Sequence, residues 1–203
     1  MTTPAADYWN HNVHYQRVIT GAVPPGCGAA IDVGCGDGLL VRQLAGRCRT
    51  VTGIDADPPM IARARSLTPP SSGTVTFLQG DFLRYPLEDE RYDFACAVTS
   101  LHHMDFAAAL ARMARLLRPG GRLAVVGLGA RGSAADLVID AAAIPVNRWY
   151  QRTRGEGGPG APVRDPDLTW AQTRTTARRV LPGVRYRRRL LWRYSLIWDK
   201  PAG

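Results

Sequence analysis

Short runs of apolar, β-branched residues alternate with longer segments in which apolar residues recur at helical spacing. Such runs suit strands buried in the middle of a sheet. The pattern predicts five strands, the first ending at Val33 and the others at residues 50–54, 74–78, 92–98 and 122–128. Helices are predicted between them, for example at residues 39–47 and 106–117. This alternation is typical of an α/β protein with a parallel sheet.

The last part of the chain predicts two more strands joined by a tight turn. Residues 185–189, with the sequence RYRRR, are expected to form an exposed edge strand, because their charges discourage pairing with other chains. Alternation along the final strand predicts four large side chains on one face: Trp192, Tyr194, Leu196 and Trp198.

The loop after the first predicted strand carries glycine at every second position. Residues 31–38 read IDVGCGDG, and the segment that follows predicts a helix. The loop therefore precedes a helix N-terminus, where free N–H groups can bind a ligand. Glycine also lets a ligand lie directly against the main chain. A dinucleotide site has the pattern G-x-G-x-x-G, but here the third glycine comes one residue early and Leu39 stands in its place.

Polar residues also follow other predicted strands. Asp55 comes directly after the second strand, where an α/β nucleotide site places a carboxylate on the ribose hydroxyls. Thr99 follows the fourth strand, and His102 and His103 stand just beyond it. A histidine at this edge is either a general base matched to neutral pH or simply part of a helix start.

Length and composition fit one soluble domain. The chain has 203 residues, of which 45% are hydrophobic and 21% charged. No apolar run approaches the length that crosses a bilayer, and the first residues lack the order of a signal peptide, so we expect a cytoplasmic protein without a membrane partner. The four cysteines show no zinc-binding spacing, and no metal site is expected.

The positive charge is concentrated in one half of the chain. The formal net charge is +9, with −3 in residues 1–111 and +12 in residues 112–203. A basic half can indicate a nucleic-acid or other anionic partner. Almost all of the basic residues are arginine, however, so a coding bias and a solvated face explain the charge better, and a nucleic-acid partner is not expected.

The pattern D-x-G-x-G-x-G, formed by Asp32, Gly34, Gly36 and Gly38, resembles motif I of the class I S-adenosylmethionine-dependent methyltransferases of the small-molecule type. A Gly-Asp-Phe turn at residues 80–82 and the segment LLRPGGRLAVVGL are similar to later blocks of that family. The resemblance implies an α/β, Rossmann-like single domain over residues 1–203. Its seven-stranded sheet would have six parallel strands and an antiparallel last strand, flanked by helices.

The resemblance also implies S-adenosylmethionine as cofactor, with S-adenosylhomocysteine as product. Asp32 would help to hold the amino end of the cofactor, Asp55 the ribose, and the turn at Asp81 the adenine. The implied cofactor-binding residues are Asp32, Gly34, Cys35, Gly36, Gly38, Asp55, Ala56, Asp81, Phe82 and Thr99.

Two segments without a transferable motif are expected to border the substrate. Residues 1–25 would form an N-terminal segment with a short helix at residues 8–19, of unusual polar density, that either closes over the cofactor as a lid or only packs on the domain. Residues 129–182 form an insertion over the carboxyl edge of the sheet, with helices predicted at residues 134–144, before Pro145, and at residues 168–180. Candidate walls of a substrate pocket are Trp9, His14, Tyr15, Trp149 and Tyr150.

The implied activity is methyl transfer to an oxygen, nitrogen or carbon atom of a small molecule. His102 and His103 are the candidate catalytic residues, and His103 is preferred because it lies further from the strand end and has more freedom to turn into the cleft. One alternative is an RNA or DNA methyltransferase, suggested by the basic half. Against it, TSLHH follows the fourth strand, where adenine-amine methyltransferases carry Asp/Asn-Pro-Pro-aromatic. A second alternative is a cofactor-binding protein with another role, such as steering a cyclisation.

Overall fold

The computed structural model describes residues 8–69, 75–154, 157–158 and 165–203 as a sheet with helices on both sides. Its strands are β1 (Ala29–Val33), β2 (Thr50–Asp55), β3 (Val75–Gln79), β4 (Tyr92–Val98), β5 (Leu117–Gly127), β6 (Arg185–Arg189) and β7 (Arg193–Asp199). Its α-helices are α1 (His11–Thr20), α2 (Leu39–Ala45), α3 (Pro58–Ser66), α4 (Phe106–Leu116), α5 (Ala134–Arg154) and α6 (Trp170–Val180). Residues 1–7 of the predicted N-terminal segment and Thr74 of the predicted third strand lie outside the described residues.

The seven strands form one sheet in the order β3-β2-β1-β4-β5-β7-β6. Strands β1 to β5 pair in parallel, and β7 lies antiparallel between β5 and β6. The expected Rossmann-like fold, with six parallel strands and an antiparallel last strand, is therefore confirmed. After β3 the chain crosses to the other side of β1, so the carboxyl ends of β1 and β4 border the switch point at which such sheets bind ligands.

Each face of the sheet buries its own apolar cluster. Helices α4 and α6 pack on the face that carries Ile31 and Val33. Helices α1, α2 and α3 pack on the opposite face, which carries Ala30 and Cys96. Because side chains alternate along a strand, Asp32 lies on the same face as Cys96 and points towards α1 and α2.

Two helices begin later than the apolar pattern predicts, because polar side chains cap them. The Asn10 side chain accepts a hydrogen bond from the Val13 amide at 2.9 Å, so α1 starts at His11. Thr169 and Gln172 form a capping box that starts α6 at Trp170.

Three details differ from the expectations. Helix α5 continues through Pro145, which removes one backbone hydrogen bond without ending the helix. Strand β5 begins at Leu117, five residues before the predicted start at Arg122. Its first residues are accommodated by an irregular register between Tyr92 and Phe94 of β4. Trp192 does not share a face with Tyr194. The backbone of Trp192 has a φ of 56°, which turns the chain before β7, so the Trp192 side chain packs on the cluster on the other face of the sheet.

The charged strand near the end of the chain lies where the sequence predicts. Strand β6 is an edge strand, as its charges predict. The four cysteines are free and buried. Among the described residues, no helix combines the length and the apolar composition that crossing a membrane requires.

Candidate active site

The loop between β1 and α2 is fixed by close contact with the loop that follows β4. Gly34 has a φ of 72°, and a Cβ at this position would overlap the side chain of Ser100. The Ser100 hydroxyl donates to the carbonyl oxygen of Val33 at 2.5 Å. Gly34 therefore has a packing role, which is to let the ends of β1 and β4 approach each other.

Gly36 lies in the same loop but faces open space. Its φ is 54°, and no heavy atom outside its neighbours lies within 4 Å of the position that a Cβ would take. Its amide donates to Asp55 Oδ2 at 2.8 Å, and Asp55 Oδ1 accepts from the Asp57 amide at 2.9 Å. The Asp55 carboxylate thus ties the glycine loop to the end of β2, and each of its oxygens can accept a further hydrogen bond.

Asp32 is a buried carboxyl group beneath this loop. It is 2% exposed and accepts a hydrogen bond from the Cys96 thiol at 3.6 Å. Burial raises the pKa of Asp32 to about 7, the Cys96 contact opposes this shift, and the charge of Asp55 adds to it. A cation bound nearby would favour the ionised form, so the site suits an ammonium group.

The turn after β3 is built by its own aspartate. Asp81 is exposed, and its Oδ1 accepts from the Leu83 amide at 2.9 Å. The Phe82 ring is buried in the core, so only the backbone of this residue could contact a ligand. Ala56, after β2, is exposed near the same edge. Cys35 is buried, and burial raises the pKa of its thiol, so the thiol stays protonated. Its side chain therefore only fills space below the loop.

Thr99 connects the end of β4 to the N-terminal helix. Its hydroxyl donates to the Asn12 side-chain oxygen at 2.8 Å. Arg193, at the start of β7, donates to the same oxygen at 2.9 Å. Helix α1 therefore lies over the switch point, and Asn12 joins two polar side chains from different strands.

A second contact holds the segment before α1 over the glycine loop. The Tyr8 hydroxyl donates to Asp37 at 3.1 Å. Asp37 is buried and also lies 3.8 Å from Arg63 Nε. Burial and the Asp37 charge raise the pKa of Tyr8. The sequence did not predict the roles of Tyr8, Asn12 and Asp37; the unusual polar density of the N-terminal segment was its one signal.

The two candidate catalytic histidines form a short 3₁₀ helix after β4. Their rings lie 4.2 Å apart, and His103 is exposed. His102 lines a cavity of about 310 Å³ between the start of α4, the end of β5 and α6, together with Phe106 and Leu168. The structure therefore places His102, rather than His103, at a cavity.

The predicted aromatic pocket residues come together beside α1. Trp9 stacks on Tyr150 with ring centroids 5.1 Å apart, and His14 contacts the rings of Tyr15 and Tyr150 at 4.8 and 4.9 Å. Trp149 contacts the Tyr150 ring but is 57% exposed, at the outer border of the cluster.

The described residues fit S-adenosylmethionine. Gly36 leaves open space above the loop, the Asp32 carboxyl lies where it could take an ammonium group, and the Asp55 carboxylate lies at the end of β2. Among the described residues, no group of three His, Cys, Asp or Glu side chains could hold a metal ion.

This fold and this edge of the sheet define a class I S-adenosylmethionine-dependent methyltransferase. A family model described as "Methyltransferase domain" matches residues 31–125. An uncharacterised methyltransferase of Mycobacterium tuberculosis is 34% identical over 199 residues, covering 96% of this chain and 98% of the relative. The chain belongs to this methyltransferase family, and its cofactor is S-adenosylmethionine. An O-methyltransferase of Penicillium expansum is 41% identical over 114 residues, 54% of this chain and 38% of that protein.

Solved structures show the same fold. A SAM-dependent methyltransferase from Aquifex aeolicus has a TM-score of 0.61 at 15% identity, covering 91% of this chain and 88% of that one. A Haemonchus contortus phosphoethanolamine N-methyltransferase with bound S-adenosylhomocysteine has a TM-score of 0.62 at 17% identity, over 95% and 53%. The [4+2]-cyclase SpnF has a TM-score of 0.66 at 19% identity, over 98% and 90%.

Gly36→Ala and Gly34→Ala are expected to have different effects. In Gly36→Ala the new methyl group enters open space, so folding should lose only the roughly 1–2 kcal/mol cost of a left-handed alanine, while S-adenosylhomocysteine affinity should fall at least tenfold. Gly34→Ala should instead lower the melting temperature sharply, because its Cβ overlaps Ser100. Calorimetric titration and thermal melts would measure both effects. Unchanged affinity in a folded Gly36→Ala variant would show that no ligand lies against this loop.

Cofactor affinity is expected to depend on the ionisation of Asp32. Its pKa of about 7 in the free protein should fall when the ammonium group binds, so binding releases a proton below pH 7. Affinity for S-adenosylhomocysteine should therefore rise with pH up to about this value and then level off. Titrations from pH 5.5 to 8.5 would test this, and Asp32→Asn should remove the slope. A slope of equal size in Asp32→Asn would assign it to another group.

Proposed function

We propose that this methyltransferase acts on a small molecule, whose reacting atom lies at the end of β4, beneath α1. The position of α1 carries the proposal. Its contacts with Thr99 and Asp37, through Asn12 and Tyr8, cover the carboxyl edge. A cavity of about 360 Å³ lies beside α1, and one of about 310 Å³, lined by His102, lies beside α4 and α6. These volumes are in the range of small-ligand sites.

The residues of the site would act mainly by binding and orientation. When bound, S-adenosylmethionine supplies a methyl group activated by a positive sulfonium. The glycine loop and Asp55 would fix the cofactor, and α1 would exclude water from the reacting centre. His102, which lines a cavity three residues after Thr99, would take the proton that an O–H or N–H acceptor loses. The similarity to O-methyltransferases over about half of the chain favours an oxygen acceptor.

The structure also weakens the argument for a nucleic-acid substrate. Several arginines of the basic half are paired with carboxylates: Arg122 and Arg185 with Asp199, and Arg188 with Asp136. Pairing neutralises charge that phosphate contacts would otherwise use. Cyclisation without methyl transfer stays a second candidate, favoured by the likeness to a [4+2]-cyclase, although that likeness concerns the fold.

The proposal predicts that methyl label from S-adenosylmethionine enters small molecules. The purified protein would be incubated with the labelled cofactor and either a panel of phenols, amines and carboxylic acids or total RNA and duplex DNA, at about 150 mM salt. Label in one or more small acceptors and none in nucleic acid is expected. Preferential labelling of RNA or DNA would overturn the small-molecule proposal. Turnover of a diene without label transfer would favour the cyclase alternative.

Replacing His102 by Ala is expected to lower kcat about 10²–10⁴-fold, the usual contribution of a general base, with little change in cofactor affinity. His103→Ala is the matched control, because its side chain is adjacent but exposed; its effect should be less than tenfold. Single-turnover kinetics with an identified acceptor would measure both. Full activity in the double variant would show that catalysis depends on positioning alone.

A further inference from the structure

A cavity of about 360 Å³ lies between α1, α5 and the turn that joins β6 to β7. We call it the arginine cavity. Aromatic and basic side chains share its wall with apolar ones: Tyr15, Arg17, Val146, Tyr150, Arg189 and Leu191.

Three arginines at this cavity have no carboxylate partner among the residues that the structure describes. Arg17 lies with Nη2 3.0 Å from His14 Nε2, and Arg189 donates through Nε to Ser195 at 2.9 Å. Arg193 lies behind the wall and donates to the carbonyl oxygen of Leu191 at 3.2 Å. These partners are neutral or basic, so no carboxylate among the described residues compensates the three positive charges.

The same three charges surround the hydroxyl group of Tyr15. Burial raises the pKa of Tyr15, and the positive charges of Arg189, Arg17 and Arg193 act against that shift. The hydroxyl is itself fixed, because it donates to the carbonyl oxygen of Leu190 at 2.7 Å. The cavity is therefore a region of positive potential with a rigid aromatic wall.

The buried charge of Arg193 makes the positive potential energetically unfavourable unless an anion balances it. Arg193 is 8% exposed, and burial lowers its pKa to about 10. Within the described part of the chain, its Nε has no hydrogen-bond partner. A buried guanidinium without a counter-ion is unfavourable, and an anion at the cavity would offset that cost.

A chain of hydrogen bonds runs from Arg193, next to the arginine cavity, to the proposed site of methyl transfer. Asn12 accepts hydrogen bonds from both Arg193 and Thr99. Tyr15 lies one turn further along α1 and lines the cavity. A small molecule bound against α1 could therefore place one end at Thr99 and the other near Arg17 and Arg189.

We propose that the arginine cavity binds a carboxylate or phosphate group of the methyl acceptor, and that Tyr15 and Tyr150 contact its flat apolar body. The acceptor class is thus a planar organic anion. Arg17 and Arg189 contact the anionic group, and Arg193 adds buried positive charge behind them. This inference rests on the proposed small-molecule function and narrows its substrate class.

The test uses three probes that share a phenyl ring: benzoate, phenyl phosphate and benzamide, the neutral amide that matches benzoate in shape. Each is titrated into the full-length protein saturated with S-adenosylhomocysteine, and binding is followed by ligand-observed NMR. At least one of the two anions is expected to bind at least tenfold more tightly than benzamide. Its affinity should fall at higher salt, and the tighter anion identifies the head group as carboxylate or phosphate.

Variants then locate the binding site. Arg17→Gln with Arg189→Gln should weaken the preferred anion at least tenfold. Arg187→Gln should change it less than twofold, because Arg187 lies on the same strand as Arg189 but does not line the cavity. Arg17→Gln alone should weaken binding several-fold; Arg17 is exposed at the surface, so this variant is expected to fold even if the double variant does not.

Several results would overturn the inference. These are equal binding of benzamide, an unchanged affinity in a folded Arg17→Gln or double variant, or an equal loss in Arg187→Gln. Weaker S-adenosylhomocysteine binding without weaker probe binding would assign the arginines to the carboxylate of the cofactor instead. Any of these would leave the methyltransferase function intact, whereas a wild-type protein that binds no S-adenosylhomocysteine would contradict the function itself.

Discussion

The approach of the β1 loop to the β4 loop is the constraint on which the candidate site depends. Gly34 can approach Ser100 because it has no side chain, and the Ser100 hydroxyl closes the contact on Val33. Once these two loops meet, the open side of Gly36, the carboxyl of Asp32 and the hydroxyl of Thr99 lie at one edge of the sheet. A larger residue at Gly34 would separate the loops, and these groups would no longer face one site.

Helix α1 has two halves with different roles. Its last turns are part of the core, since Tyr15 and Ile19 are buried against the sheet. Its first turn and the preceding residues are held by hydrogen bonds from Tyr8 and through Asn12, each worth about 0.5–1.5 kcal/mol. Opening this first part would break these hydrogen bonds and expose the buried Trp9 ring, whereas moving the whole helix would also expose Tyr15 and Ile19. The last turns therefore fit the packing interpretation, and the lid role of the first turn stays a prediction.

The sequence predicted the parts of this structure that local patterns determine. Apolar runs located the strands, and glycine spacing located the loop that faces open space. It failed where distant contacts decide: Pro145 is accommodated within α5, and Trp192 turns to the face opposite Tyr194. It also could not pair Asn12 with Thr99, because their hydrogen bond joins residues 87 positions apart. Candidate side chains on loops were thus easier to locate from the sequence than the distant partners that hold them.

The arginines also show that composition alone does not predict the role of a charged residue. The basic half of the chain carries most of the arginines, but the total does not distinguish those that stabilise the fold from those that could bind a ligand. Arg122 and Arg185 are paired with Asp199, at the end of β7 where the sheet needs its strands held together. At the opposite end of β7, Arg193 is buried and contacts Asn12 of α1. Within the described residues, β7 therefore carries a charge paired with a carboxylate at one end and a charge without one at the other, and an anion bound near Arg193, as proposed, would also strengthen the position of α1.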